Sequence, residues 1–202
     1  MMHLLMDFGE VISVAQHESD VRSMALAAGV PPAEFTQRYW DCRTDYDCGL
    51  SALGFWTDVL GSPPGGQLLA HLVERDVSSW LHLDHATMQM LGRVHAAGVP
   101  VSLLSNAPRE LARELDRHEA LSAFRHRLFS ADLGVAKPDP AAYQKALAVL
   151  GLPPEQVVFV DDRAANVAAA AELGLVAIHF DGTPECLAAV EQAAVGAILG
   201  NP

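Results

Sequence analysis

Apolar residues along the chain gather in short unbroken runs that end in polar residues. His3–Met6 leads into Asp7, Val99–Leu104 into Ser105 and Asn106, and Val157–Val160 into Asp161 and Asp162. A further run, Leu175–Phe180, follows Gly174, and Arg127–Ser130 offers one more. Runs that are apolar throughout, instead of alternating with a period of two, suit strands covered on both faces, as in a parallel sheet. Helical patterns lie between them. Ala86–Ala97 stops at Gly98 with Pro100 beyond, Pro140–Leu150 stops at Gly151, and Ala164–Leu173 stops at Gly174, each a glycine-terminated helix end. Strand and helix thus alternate from about Thr87 to Phe180, the signature of βαβ units.

The segment Val14–Leu83 breaks this rhythm. It reads as several helices with turns at Gly29–Pro32 and Gly61–Gly66 and holds no buried strand. The aromatics Tyr39, Trp40, Tyr46, Phe55, Trp56 and Trp80 are concentrated in it. The expected architecture is α/β: a Rossmann-like parallel-sheet core with helices on both faces, formed by residues 1–13 and 85–202, and an inserted helical cap over residues 14–84. Hinges are expected near Ser13–Gln16 and Leu83–His85.

Composition narrows the class. With 202 residues, 50% apolar and 19% charged, the chain can bury a proper core and is not disordered or collagen-like. Thirteen basic against 25 acidic residues give a net charge of −12, which argues against a nucleic-acid partner, because a phosphate backbone needs a basic face. No apolar run approaches the length of a membrane span, and Met1–Phe8 lacks the basic flank of a signal peptide. Three cysteines, an odd and small number, suit a reducing, cytoplasmic setting. The nine histidines show no metal-ligand spacing and read as surface residues, and Cys42 and Cys48 lack the histidine that a zinc site would add. The sequence specifies no oligomeric state.

Ligands of doubly wound sheets bind beyond the carboxyl ends of the strands. That edge receives Asp7, Ser105 with Asn106, and Asp161 with Asp162, while Lys137 follows through the loop Ser130–Pro138. The set comprises a candidate carboxylate nucleophile, hydroxyl and amide donors, an ammonium and a carboxylate pair. Two adjacent carboxylates repel one another unless a cation or proton intervenes, and Mg²⁺ favours one or two carboxylates with waters and phosphate oxygens. Within the insertion, Tyr39–Gly49 places Arg43 to meet an anionic or hydroxylated substrate and Trp40 or Tyr46 to stack on a sugar ring.

The segments MDFGEVI, LLSNAP, GVAKPDPAAY and VVFVDDRAANV resemble, in order and spacing, the four motifs of the haloacid dehalogenase-like hydrolase superfamily. The intervening segment resembles that superfamily's first type of helical cap, so the likeness covers essentially the whole chain. The resemblance implies that Asp7 attacks phosphorus and becomes an aspartyl phosphate. Ser105 and the Asn106 backbone N–H would bind phosphoryl oxygen, and Lys137 would pair with the nucleophile and neutralise developing charge. Mg²⁺ would be held by Asp7, by Asp162 directly, by Asp161 through a water and by the Gly9 carbonyl, with Asn166 in support.

One departure stands out. Most phosphatases of this type carry a second aspartate two residues after the nucleophile, where this chain has Gly9; Val11 stands in place of the usual threonine. The missing group is a general acid and base, whose loss costs ~10²–10⁴-fold. Glu10, Asp41 or Asp45 are candidate substitutes, although Glu10 also reads as a turn or helix cap. The implied activity is a Mg²⁺-dependent phosphatase acting on a small phosphorylated metabolite, with an easily departing sugar 1-phosphate suiting the Asp-x-Gly pattern. The alternatives are a 2-haloacid dehalogenase and a catalytically weak binding or regulatory module.

Overall fold

The computed structural model describes residues 2–199. Its sheet is parallel and has the order β3-β2-β1-β4-β5, with β1 at His3–Met6, β2 at Val101–Ser105, β3 at Arg127–Phe129, β4 at Val157–Asp161 and β5 at Val176–His179. Leu5 lies opposite both Ser102 of β2 and Phe159 of β4. The pleat divides each apolar run between two cores. Leu4, Met6, Val101, Leu103, Val158 and Val160 enter one cluster, and Leu5, Leu104, Val157 and Phe159 enter the other. That is why these strands carry no polar alternation.

His3 of β1 and Ser102 of β2 are buried polar exceptions within the runs, and His3 corrects the expectation that the histidines lie on the surface. It is buried in β1, with Nε2 2.9 Å from Ser102 Oγ. Burial pushes its pKa down to about 4, with His126 and Arg125 adding to the effect, so the imidazole is neutral at neutral pH.

Between β1 and β2 the chain forms α1 (Glu18–Ala28), α2 (Pro32–Asp47), α3 (Ala52–Leu60), α4 (Gly66–Ser79) and α5 (His85–Ala96). The first four have their own apolar cluster, centred on Met24, Phe35, Tyr39, Tyr46, Phe55, Trp56 and Leu72. Gly29 at φ 69° and Gly61 at φ 74° end α1 and α3 in the left-handed conformation that suits glycine. The chain enters and leaves this helical layer side by side. Ser13 bridges Leu83, Val14 N–H donates to His82 O at 2.8 Å, and Asp84 N–H donates to Ile12 O at 2.8 Å. Asp84 then caps α5 by accepting from Thr87 N–H at 2.7 Å.

The rest of the core comprises α6 (Arg109–Arg117), α7 (Ser130–Leu133), α8 (Pro140–Leu150), α9 (Ala164–Glu172) and α10 (Pro184–Leu199). β2 begins two residues later than its apolar run, because Val99 N–H bonds Val94 O to close α5. Leu175 does the same for α9 through Ala170 O. The loop expected to carry Lys137 starts with the helical turn α7. Helices α6 and α10 are additions to the sequence reading. No helix among the described residues is long and apolar enough to cross a membrane.

Candidate active site

β2 and β4 flank β1 on opposite sides, so the chain reverses direction across the sheet at β1 and opens a crevice at its carboxyl edge. Asp7 leaves β1 there, its N–H bonded to Val160 O at 2.9 Å. Lys137, 4% exposed, reaches in from the loop after α7. Its Nζ lies 2.8 Å from Asp7 Oδ1 and 2.6 Å from Asp161 Oδ2. Burial pushes the Asp7 carboxyl up to about pKa 7; Lys137 opposes that shift and the Asp161 charge adds to it.

Asp161 is fully enclosed and heavily bonded. Oδ1 accepts from Arg163 N–H and Asn166 Nδ2, both at 2.9 Å, and Oδ2 accepts from Nδ2 at 3.0 Å besides Lys137. Asp162 beside it is half-buried, and burial, Asp161 and Glu10 all raise its pKa. Asp7, Asp161 and Asp162 each offer an oxygen, and these lie within 4.8 Å of one another. Three carboxylates thus face one ammonium. The excess of negative charge and the all-oxygen donor set suit a hard divalent cation.

Asn106 does more than its backbone role implied. Its Nδ2 donates to Lys137 O at 2.8 Å, and its Oδ1 accepts from Lys137 N–H at 2.9 Å. This pair of bonds fixes the loop that aims the lysine. Ser105, the last residue of β2, faces the same cleft, as do Gly9, Glu10 and Asn166. Glu10 sits in the left-handed region at φ 57° and is exposed at the rim.

The opposite wall comes from the inserted helices: Trp40, Arg43 and Asp47 of α2, and Trp80 after α4. Arg43 is buried, with Nε 2.8 Å from Asp47 Oδ1 and Nη1 3.3 Å from Asp76 Oδ1; Nη1 also contacts the Tyr39 hydroxyl. Its guanidinium stacks over Tyr39, Tyr46 and Trp80 at 5.3, 5.8 and 5.5 Å. Burial works against its charge, but Asp47, Tyr39 and Asp76 outweigh it and hold Arg43 protonated. Trp40 is 40% exposed at the mouth and meets Trp80 edge to face at 6.2 Å. Trp80 in turn lies over Gly9, where a Cβ would meet its ring at 3.5 Å. Tyr46 OH donates to Glu110 Oε2 of α6 at 3.0 Å, tying the helical layer to the core.

A family model for haloacid dehalogenase-like hydrolases matches residues 23–174, most of the chain. The protein belongs to this family. Among curated members, it is 29% identical over 132 residues to the sesquiterpene phosphatase astK of Aspergillus oryzae, covering 61% of this chain and 63% of that one. It is 32% identical over 104 residues to an (S)-2-haloacid dehalogenase of Pseudomonas fluorescens, covering 50% of this chain and 46% of that one. The matches therefore span less than two thirds of these relatives' own length. Among solved members, a haloacid dehalogenase family enzyme, bt-2542 of Bacteroides thetaiotaomicron, superposes with a TM-score of 0.71 at 17% identity over 91% of this chain and 96% of its own. The L-2-haloacid dehalogenase RSc1362 gives 0.69 at 19% identity over 91% and 88%. These likenesses show the hydrolase fold.

Within this family member, the structure brings Asp7, Gly9, Ser105, Asn106, Lys137, Asp162, Arg43 and Trp40 around one cleft, with Asp161 buried behind it. Asp41 and Asp45 are exposed and do not line it. Asp47 and Asp76 are residues that sequence reasoning passed over, and Trp80 was noted there only as one of the insertion's aromatics. The four-residue step from Arg43 to Asp47 was the available signal for the first.

Proposed function

We propose that this hydrolase is a Mg²⁺-dependent phosphatase that acts on a small phosphorylated metabolite through an aspartyl phosphate on Asp7, with the helices between β1 and β2 serving as its cap. The observation that carries the reading is the convergence of Asp7, Asp161 and Asp162 on one another, with Lys137 bridging two of them. Such a cluster suits a cation and a phosphoryl group together, and would repel a lone carboxylic acid substrate. Asp7 and Asp162, the Gly9 carbonyl and, through a water, Asp161 would hold Mg²⁺, which supplies charge neutralisation to the transferring phosphoryl group when bound. A solved relative, bt-2542, was obtained with magnesium and inorganic phosphate.

The chain's own groups divide the work. Asp7 attacks phosphorus in line, and the bond to the leaving oxygen breaks. Lys137, already held on Asp7 Oδ1, stays beside the phosphoryl oxygens, with the Ser105 hydroxyl and the Asn106 N–H as further donors. Water then cleaves the aspartyl phosphate. On the leaving-group side, Trp40 and Trp80 provide an aromatic wall suited to a sugar ring, and Arg43 borders it.

The test is phosphate release from a panel of sugar phosphates and other phosphorylated metabolites, with and without Mg²⁺, alongside Asp7→Asn. Mg²⁺-dependent release that Asp7→Asn abolishes is the expected result. The similarity to (S)-2-haloacid dehalogenases favours one competing reading, in which Asp7 displaces halide. Chloride release from 2-chloropropionate in the presence of a chelator, without phosphate release from any ester, would replace the phosphatase reading with that one.

A further inference from the structure

Outside the cation cluster, Asp47 is the cleft-lining carboxyl group that is mostly withdrawn from solvent, its side chain 13% exposed. Of the other carboxylates lining the cleft, Asp7 and Asp162 belong to the cluster, and Glu10 is exposed at the rim. We propose that Asp47 is the general acid and base of this enzyme, doing from the cap helix α2 the proton transfers for which position 9 has no side chain. The inference rests on the phosphatase reading and adds the residue that completes its chemistry.

Geometry supports it first. Asp47 uses Oδ1 for Arg43 Nε at 2.8 Å, while Oδ2 has no hydrogen-bond partner among the described residues. Its position is set from the core: Ser130 Oγ donates to Asp47 O and accepts from Ala107 N–H at 2.9 Å. Two bonds therefore connect the backbone of Asp47 to the turn that follows Ser105 and Asn106.

Charge supports it second. Asp47 and Asp76 share one guanidinium, that of Arg43, so a fully ionised trio would leave a net negative charge in a buried place. Asp76 also accepts from Tyr39 OH at 2.5 Å, whereas Asp47 Oδ2 has no such second donor among the described residues. The charged groups facing Asp47 are Arg43 on its own helix, Asp76 of α4 and Arg163 beyond β4. Burial raises its pKa, Arg43 opposes, Asp76 adds, and Arg163 opposes more weakly. A raised pKa brings a carboxyl group closer to giving a proton away and taking it back.

The balance of each step is complete. As Asp7 bonds to phosphorus, the P–O bond to the leaving group breaks, and the departing oxygen takes the proton from Asp47 Oδ2. In the second step Asp47 removes a proton from water as the water oxygen bonds to phosphorus. The bond from phosphorus to Asp7 breaks, phosphate leaves, and both carboxyl groups return to their starting states.

The experiment uses p-nitrophenyl phosphate, whose nitrophenolate departs without a proton, and follows wild type and Asp47→Asn by rapid mixing. Asp47→Asn should release a burst of nitrophenolate equal to the enzyme concentration and then turn over ~10²–10⁴-fold more slowly. Phosphorylated Asp7 should accumulate and be visible by intact mass. An amide variant that turns over as fast as wild type, or one that folds but loses burst and turnover together, overturns the assignment. Should Asp47→Asn fail to fold, Asp47→Glu, which keeps the charge beside Arg43, takes its place. It should shift the pH profile of turnover and leave the burst unchanged, and an unshifted profile overturns the assignment. A wild-type protein that hydrolyses no phosphate ester removes the phosphatase reading and this inference with it.

Discussion

Replacing Lys137 with Met would leave Asp7 and Asp161 facing each other without their shared ammonium. Removing one partner from a buried ion pair costs about 3–5 kcal/mol. Here the lower end applies, because Asp161 keeps its bonds from Arg163 N–H and Asn166, so the loss falls on Asp7. About 3 kcal/mol corresponds to a fall in Tm of about 6–12 °C for a chain of this size. The deficit has a pH dependence of known sign. The folded-state pKa of Asp7, already about 7 against an ordinary 3.8, rises further without the lysine. The folded state then holds a proton that the unfolded state has lost, so stability falls as pH rises through that window. Urea unfolding should therefore show a small deficit near about pH 5 and the full one only above about pH 9. On the phosphatase reading, turnover should also fall by ~10²–10³, from the loss of a charge beside the phosphoryl group. A variant equally destabilised at both pH values, or not at all, would refute the electrostatic account of Lys137.

Three further outcomes follow from the geometry. His3 stays neutral in the fold down to about pH 4, against an ordinary value of 6.5, so the unfolded state binds its proton first. Up to about 3 kcal/mol of stability should be lost as pH falls through that interval, and His3→Gln should flatten this slope in urea titrations. Asn106→Ala orphans the N–H and C=O of Lys137, and should cost about 2–3 kcal/mol together with a marked loss of turnover, measured by unfolding and by steady-state kinetics. Gly9→Ala adds a Cβ at ordinary contact distance from Trp80, so its stability should stay within about 1 kcal/mol of wild type in a thermal melt.

The sheet edge was legible in the chain for a physical reason. An apolar run covered on both faces must stop where the strand leaves the core, and the polar residue at that stop is delivered to the common carboxyl edge, as Asp7, Ser105 and Asp161 are. Lys137 has no such periodicity around it, and only its motif marked it. The opposite wall was harder to read. Asp76 follows Glu74 and Arg75 on α4 and looks like part of a solvated face, yet it is 1% exposed because Tyr39 and Arg43 of another helix close over it. Its burial depends on a partner more than thirty residues away, which no local pattern encodes. His3 was misread for a related reason: a titratable residue in a strand looks exposed until Ser102 on the neighbouring strand supplies the bond. Helix α6 was passed over because Leu111, Ala112 and Leu115 are its only buried residues among charged ones.

The short ribbon where Ser13 meets Leu83 means that the helical layer begins and ends at one place on the core. Backbone bonds at Val14 and Asp84 hold the two ends of that long excursion together, and β1 pairs with β2 and β4 through strand residues alone. The layer is in effect a plug-in part. Recombination at this ribbon would exchange one set of helices for another while leaving in place the sheet that carries Asp7.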